Sequence, residues 1–216
     1  MSRSLRPEKA LVFRIVHRDH VPWLLDHGLH APSSGRLDPA YVPIGSPELI
    51  EKRRGRVVPV GTGGTLADYV PFYFTPWSPM LLNVVTGRGV PRRNRGEIVF
   101  LIGSLHDLPA AGIPFVGTDR HAYLKLAQFS TDVGETVRHV DWASLQRRDF
   151  RRDPDDPGRF DRYQAECLVW RHLEIRHLRG IACQNDPDRG RLERLVAERG
   201  LSLPVRVLPE WYFPDA

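Results

Sequence analysis

The sequence predicts an α+β fold, and three observations point that way. Short runs rich in β-branched and aromatic residues read as strands, each bounded by turn-forming residues. Helix starts carry a capping hydroxyl followed by proline, as in Ser46-Pro47 and Ser78-Pro79. The two kinds of element mix without regular strand–helix–strand alternation, which argues against a doubly wound parallel sheet.

Taken in order, residues 10–16 (ALVFRIV) read as a buried strand. Asp19 is expected to cap a helix that holds Pro22 in its first turn, buries Val21, Leu24 and Leu25, and stops at Gly28. A loop over 35–45 leads to Ser46-Pro47-Glu48, which opens a helix carrying Leu49, Ile50, Arg53 and Arg54. Residues 57–60 look strand-like, and 61–64 (GTGG) form a turn too short for a phosphate loop. A strand over 70–75 (VPFYFT) precedes a helix from Ser78-Pro79 to about Gly87. The stretch 87–96 (GRGVPRRNRG) cannot pack a core and is expected as an exposed basic loop. Strands follow at 97–102 and 113–118, and Asp119 is expected to cap a helix over 121–129. After a turn-rich segment at 151–158 come strands at 166–170, 181–183 and 203–208, with a helix at 188–199. No repeat or linker is visible, so a single domain over 1–216 is expected.

Composition narrows the function. The 216 residues are 41% apolar and 26% charged, enough for one sizeable core. A net charge of +5 suggests an anionic partner, with nucleic acid foremost. Cys167 and Cys183 form neither a Cys-x-x-Cys pair nor a disulfide framework. The nine histidines lack zinc spacing, so no metal is expected. No apolar leader and no membrane-length apolar run occur, which makes the cytoplasm the expected location.

Two single residues stand out. Arg53 lies four residues after Leu49 and three after Ile50, on the side of its helix that faces the core. An arginine there needs an anion, either a core carboxylate or the phosphates or carboxylate of a ligand. Glu166 opens an apolar strand directly after an exposed loop, which is a common catalytic placement and also an ordinary element boundary. Two arginine clusters, at 92, 93 and 95 and at 147, 148, 151 and 152, are either solvated faces or phosphate contacts. Phe72, Tyr73, Trp77, Phe150, Phe160 and Tyr163 lie near them in sequence, an interleaving that suits single-stranded nucleic acid.

Several segments together resemble the DarT family of DNA ADP-ribosyltransferase toxins. They are RIVHRDHVPWLLDHGL at 14–29, IGSPELIEKRR at 44–54, DYVPFYFTPWSPMLLNV at 68–84, TDRHAY at 118–123 and RYQAE at 162–166. The resemblance implies an ADP-ribosyltransferase fold, with a split, mostly antiparallel sheet and surrounding helices. It implies NAD as a substrate, transfer of ADP-ribose to a nucleobase of single-stranded DNA with thymidine as acceptor, and a macrodomain antitoxin, DarG, as partner. Residue by residue, it makes Glu166 the catalytic glutamate. Arg53 acts in catalysis and on the NAD phosphates, and His121 meets the target nucleotide. His17, Asp19, Gly28, Leu29, Tyr73 and Phe74 contact NAD. Met80, Arg92, Arg93, Arg148, Arg152 and Tyr163 contact DNA. His20 departs from the asparagine frequent in the family. Three other functions stay open: an RNA-directed transferase of the same fold, a non-catalytic single-strand binding module, and a metal nuclease built on Asp155, Asp156 and Glu166.

Overall fold

The computed structural model describes residues 5–149 and 153–214. The chain runs β1 (Leu11–His17), α1 (Val21–His27), β2 (Leu29–His30), α2 (Pro47–Arg54), β3 (Tyr69–Tyr73) and α3 (Pro79–Thr86). It continues through β4 (Ile98–Ser104), α4 (Asp107–Ala110), β5 (Phe115–Thr118), β6 (Phe129–Ser130), α5 (Val133–His139) and α6 (Trp142–Arg147). The last elements are α7 (Arg159–Arg162), β7 (Glu166–Trp170), β8 (His172–Leu173), β9 (Gly180–Cys183), α8 (Asp186–Ala197) and β10 (Val205–Val207).

Eight strands form one sheet in the order β10-β9-β4-β1-β3-β7-β5-β6, while β2 and β8 pair separately. Every neighbouring pair is antiparallel except β10 with β9. The sheet is split in its middle. β1 runs in register with β4 from Leu11↔Ser104 to His17↔Ile98, yet meets β3 at the single pair Phe13↔Tyr73. β3 pairs along its whole length with β7, from Tyr69↔Trp170 to Tyr73↔Glu166. The two halves therefore part beyond Phe13, and a ligand can reach backbone there that a continuous ladder would cover.

β4 is buried at every position, the pattern of a strand covered on both faces. Phe13, Phe100, Trp211 and Tyr212 pack edge to face across it, with ring centroids 5.1–5.7 Å apart. Sequence-marked caps hold where expected: Ser46 and Ser78 accept the N–H groups of Leu49 and Leu81, with Pro47 and Pro79 in the first turns.

Three expectations fail for local reasons. Asp19 caps nothing, because a 3-10 turn over Arg18–His20 intervenes and α1 starts at Val21. Residues 57–60 form no strand. A single bridge, Val57↔Thr65, closes a tight turn in which Gly61, Gly63 and Gly64 all take positive φ. No helix follows Asp119; its Oδ1 accepts the Gln128 N–H at 2.8 Å, closing the segment into a loop that ends in β6. Here a local side-chain bond outcompetes the helix.

Candidate active site

Glu166 is the first residue of β7 and stands opposite Tyr73 of β3, beside the split. Its backbone is fixed by Thr118, whose Oγ1 accepts the Glu166 N–H at 3.0 Å. The carboxylate is 1% exposed. One oxygen accepts the Ala122 N–H at 3.0 Å and an Arg53 N–H at 2.9 Å; the other accepts a second Arg53 N–H at 2.7 Å. Arg53 reaches it from the last turn of α2, so the anion that its position demanded is Glu166 itself. A bidentate fork of this kind fixes direction as well as charge. Burial opposes ionisation of Glu166, but the charge of Arg53 and the hydrogen bonds from Arg53 and the Ala122 N–H outweigh it. The carboxyl is held below its ordinary range, and Arg53 is correspondingly raised despite its burial.

His121 lies 3.7 Å from Glu166 through Nδ1, too far for a hydrogen bond. That nitrogen accepts the Tyr123 N–H at 3.1 Å, which places the proton on Nε2. Burial lowers its pKa, against the pull of Glu166 and with the push of Arg53, so the ring is neutral near pH 7. Burial likewise pushes the Tyr73 phenol well above its ordinary value.

His17 is buried at the end of β1; its Nδ1 accepts the Asp19 N–H and its Nε2 lies 3.4 Å from Glu97. Asp19 is exposed and pairs with Arg18 and Arg191. His20 stacks on Tyr41 at 4.7 Å and accepts the Val42 N–H, a cluster the sequence analysis did not single out. Gly28 ends α1 at φ +76°, and a Cβ there would sit 2.5 Å from His172 Nε2 and 2.7 Å from the Leu173 carbonyl. Glycine is required at that turn. Leu29 pairs with Leu173 and is buried. Arg14, in the middle of β1, crosses the split to donate to the Pro71 carbonyl at 2.9 Å; it too was not singled out.

Two expected contact residues lie elsewhere than a ligand surface. Phe74 is fully buried against Trp142. Tyr163 is fully buried beneath α6, with its hydroxyl toward the Leu145 carbonyl at 3.4 Å. Neither presents a face to NAD or to DNA; both fill the core. Phe72 is also buried, and Trp77 is covered by the Arg148 guanidinium 3.3 Å above its ring. Phe160 remains exposed. Met80 is half-buried at the start of α3, next to Gly45 just ahead of α2. Arg92 donates to the Val85 carbonyl, and the Arg93 backbone to that of Val84, folding the basic loop over the end of α3. An open hollow of about 700 Å³ beside α3 is lined by Pro79, Arg88, Arg147, Arg148 and Phe160. Arg152 and Phe150 lie outside the described residues. Asp156 is held by Arg162 and Glu166 by Arg53, and among the described residues no group of three side chains is arranged for a metal.

The split antiparallel sheet agrees with the ADP-ribosyltransferase fold that the sequence resemblance implies. Comparison with known proteins narrows the class. Residues 13–213 match the family model described as "ssDNA thymidine ADP-ribosyltransferase, DarT". A DNA ADP-ribosyl transferase of Escherichia coli O127:H6 is 52% identical over 213 residues, covering 98% of this chain and 97% of that protein. One from Thermus sp. strain 2.9 is 34% identical, covering 76% and 77%. The chain belongs to the DarT family. Thermus sp. 2.9 DarT in complex with ADP-ribosylated single-stranded DNA superposes with a TM-score of 0.88 at 28% identity, covering 99% of this chain and 100% of that one. The same protein in complex with NAD+ gives 0.84 at 27% identity, covering 96% and 99%.

Proposed function

We propose that this chain transfers ADP-ribose from NAD to a thymidine base of single-stranded DNA. The observation that carries this is the buried Glu166–Arg53 pair at the sheet split of a DarT-family chain. In the reaction the bond between nicotinamide and the ribose anomeric carbon breaks, and nicotinamide leaves with the electron pair. A base nitrogen bonds to that carbon and gives up its proton to water. Positive charge develops on the ribose, and a fixed carboxylate beside it stabilises that charge. Glu166 suits this task because Arg53 and the Ala122 N–H hold it ionised in one orientation. Held charged by Arg53, its carboxylate stabilises that positive charge and accepts a hydrogen bond from a ribose hydroxyl. His121, whose Nδ1 accepts the Tyr123 N–H, donates through Nε2 to the base or to a phosphate beside it.

His17 and Gly28 border the adenosine side of NAD, with Leu29 supporting the turn from beneath, and Tyr73 borders the nicotinamide side. Asp19 acts through its hold on Arg18 and Arg191. Arg92, Arg93, Arg148 and Met80 line the DNA approach. The whole of 1–216 works as one domain. Among the described residues no helix is long and apolar enough to cross a membrane, which supports a cytoplasmic site of action. The toxin role and the macrodomain antitoxin DarG follow from the family.

Incubation with NAD and short single-stranded DNA, duplex DNA and RNA oligonucleotides, read by mass, tests this reading. One ADP-ribose is expected on thymidine-containing single-stranded DNA, and none with Glu166→Gln. Transfer to RNA alone, or no transfer at all, would overturn it.

A further inference from the structure

The Thr118 hydroxyl ties the strand of Glu166 to the loop of His121. Thr118 ends β5 and is 1% exposed, so its hydrogen bonds must be made within the protein. Its oxygen accepts the Glu166 N–H at 3.0 Å. That leaves the hydroxyl its own proton to give. Two carbonyls are near: Arg120 at 2.6 Å and Glu166 at 3.4 Å. The shorter distance is that of a good O–H···O bond and the longer is not, so the proton goes to Arg120. A β-branched side chain has little freedom at χ1, which holds both bonds in one rotamer.

The Arg120 carbonyl belongs to the same peptide group as the His121 N–H. That N–H donates to the Asp161 carbonyl of α7 at 3.2 Å. The peptide leading into His121 is therefore held at both edges, by Thr118 and by α7. One residue on, the Ala122 N–H meets the Glu166 carboxylate at 3.0 Å. Asp119 and Arg56 close the outer part of the loop, on the Gln128 N–H and the Leu124 carbonyl, and neither of these bonds involves β7. We infer that Thr118 is a positioning residue for transfer, its hydroxyl setting the backbones of Glu166 and His121 against one another. This rests on the roles given above to those two residues. Misplacing groups that act together on the reacting atoms costs rate more than binding, so the effect belongs on kcat.

The test compares Thr118→Val with Thr118→Ser in the full chain, using NAD and a thymidine-containing single-stranded oligonucleotide. Valine keeps the branched shape and removes the hydroxyl; serine keeps the hydroxyl. Both are assayed well below their melting temperatures, with rates taken per folded molecule. Thr118→Val should lower kcat about tenfold to a hundredfold, while KM for NAD and the affinities for NAD and for DNA stay within about twofold. Thr118→Ser should recover kcat to within about threefold of the wild type. A residue that merely supports the fold would lower the melting temperature and leave kcat per folded molecule unchanged, and that result overturns the assignment. So does a loss carried by KM, or a serine variant no better than the valine one. The link to His121 is read in a double-mutant cycle: Thr118→Val should cost less in the His121→Gln background than alone. Equal cost in both backgrounds overturns the proposal. If Thr118→Val fails to fold, Thr118→Ser against Thr118→Ala removes the same hydroxyl; a kcat gap of about tenfold or more is expected, and equal rates refute it. A wild type that transfers nothing would instead refute the transferase reading itself.

Discussion

Replacing Arg53 by methionine should unbalance the fold as well as stop the reaction, because its partner is left as an uncompensated buried charge. Glu166 is 1% exposed and the Arg53 side chain 14%, so neither can be rescued by solvent in place. Of the three hydrogen bonds to the carboxylate, only the Ala122 N–H at 3.0 Å would remain. Removing one member of a buried pair costs about 3–5 kcal/mol. In a domain of this size that lowers the melting temperature by about 6–20 °C. Arg53→Met/Glu166→Leu removes the stranded charge and should regain most of the loss while remaining inactive. The pH dependence adds a sign. In the wild type, the Glu166 pKa lies below its unfolded value of about 4.5, so its stabilisation is present above that pH and is lost as pH falls through the folded pKa. In Arg53→Met, burial acts with little opposition and the pKa rises instead. Acidification then relieves the variant, and its gap to the wild type should narrow between pH 7.5 and 5. Thermal melting by circular dichroism at both values measures this. A single variant melting within about 2 °C of the wild type at pH 7.5, or a double variant no more stable than the single, would refute the reasoning.

Other consequences are as direct. Gly28→Ala should lose stability by more than 1 kcal/mol, since its Cβ would meet His172 and the Leu173 carbonyl at positive φ. Gly35→Ala, with similar φ and nothing within 4 Å, should lose less, and equal melting points would remove the steric argument. His121 is held below its ordinary pKa mainly by burial, so the unfolded chain takes the proton first and stability falls as pH drops below about 6.5. His121→Gln should flatten that fall, read as melting temperature from pH 7.5 to 5.5; an unchanged slope would contradict it. Neutralising Arg92 and Arg148 together should weaken single-stranded DNA binding and lower its salt slope by about 0.7 per lost phosphate contact. NAD affinity should stay constant, and a salt slope equal to that of the wild type would show that these arginines serve only their contacts within the protein.

What the sequence revealed follows from the range of the interactions involved. β7 was legible to its ends, Glu166–Trp170, because an apolar run bounded by a loop is a local pattern. The caps at Ser46 and Ser78 were legible for the same reason. The joining of Arg53 to Glu166 was not, since 113 residues separate them and no pattern spans that distance. The amphipathic placement of Arg53 showed that it needed an anion without showing which. Asp119 carries the residue type of a cap but spends its carboxylate on Gln128 and on Arg120, which only the folded loop reveals. Aromatic residues were read too generously as ligand surfaces: Phe74 and Tyr163 are core, and Trp77 already carries Arg148. Arg14 carried a signal that went unused, because a charge inside the apolar run ALVFRIV is itself an anomaly.

Stability alone does not explain why a Glu–Arg pair should be buried here. An apolar pair of similar volume would hold α2 against β7 equally well or better. The cost of desolvating both charges makes sense if the carboxylate must stay charged, dry and aimed while a cationic sugar forms beside it. The pair lies beside the sheet split, where β1 and β3 meet at the single pair Phe13↔Tyr73. Hydrogen bonds and a capped helix position the elements around the gap. β7 sets the Glu166 backbone, Thr118 and Ala122 pin it from the β5 side, and a capped helix delivers Arg53. The expected DNA contacts instead lie on the 87–96 loop and around α3 and α6, where arginines are held through backbone carbonyls and a tryptophan face. On the proposed reading, chemistry rests on the ordered ladder and substrate capture on the basic periphery. Changes in the periphery should therefore alter which DNA is bound and how salt affects it, while changes at the split should alter whether transfer happens at all.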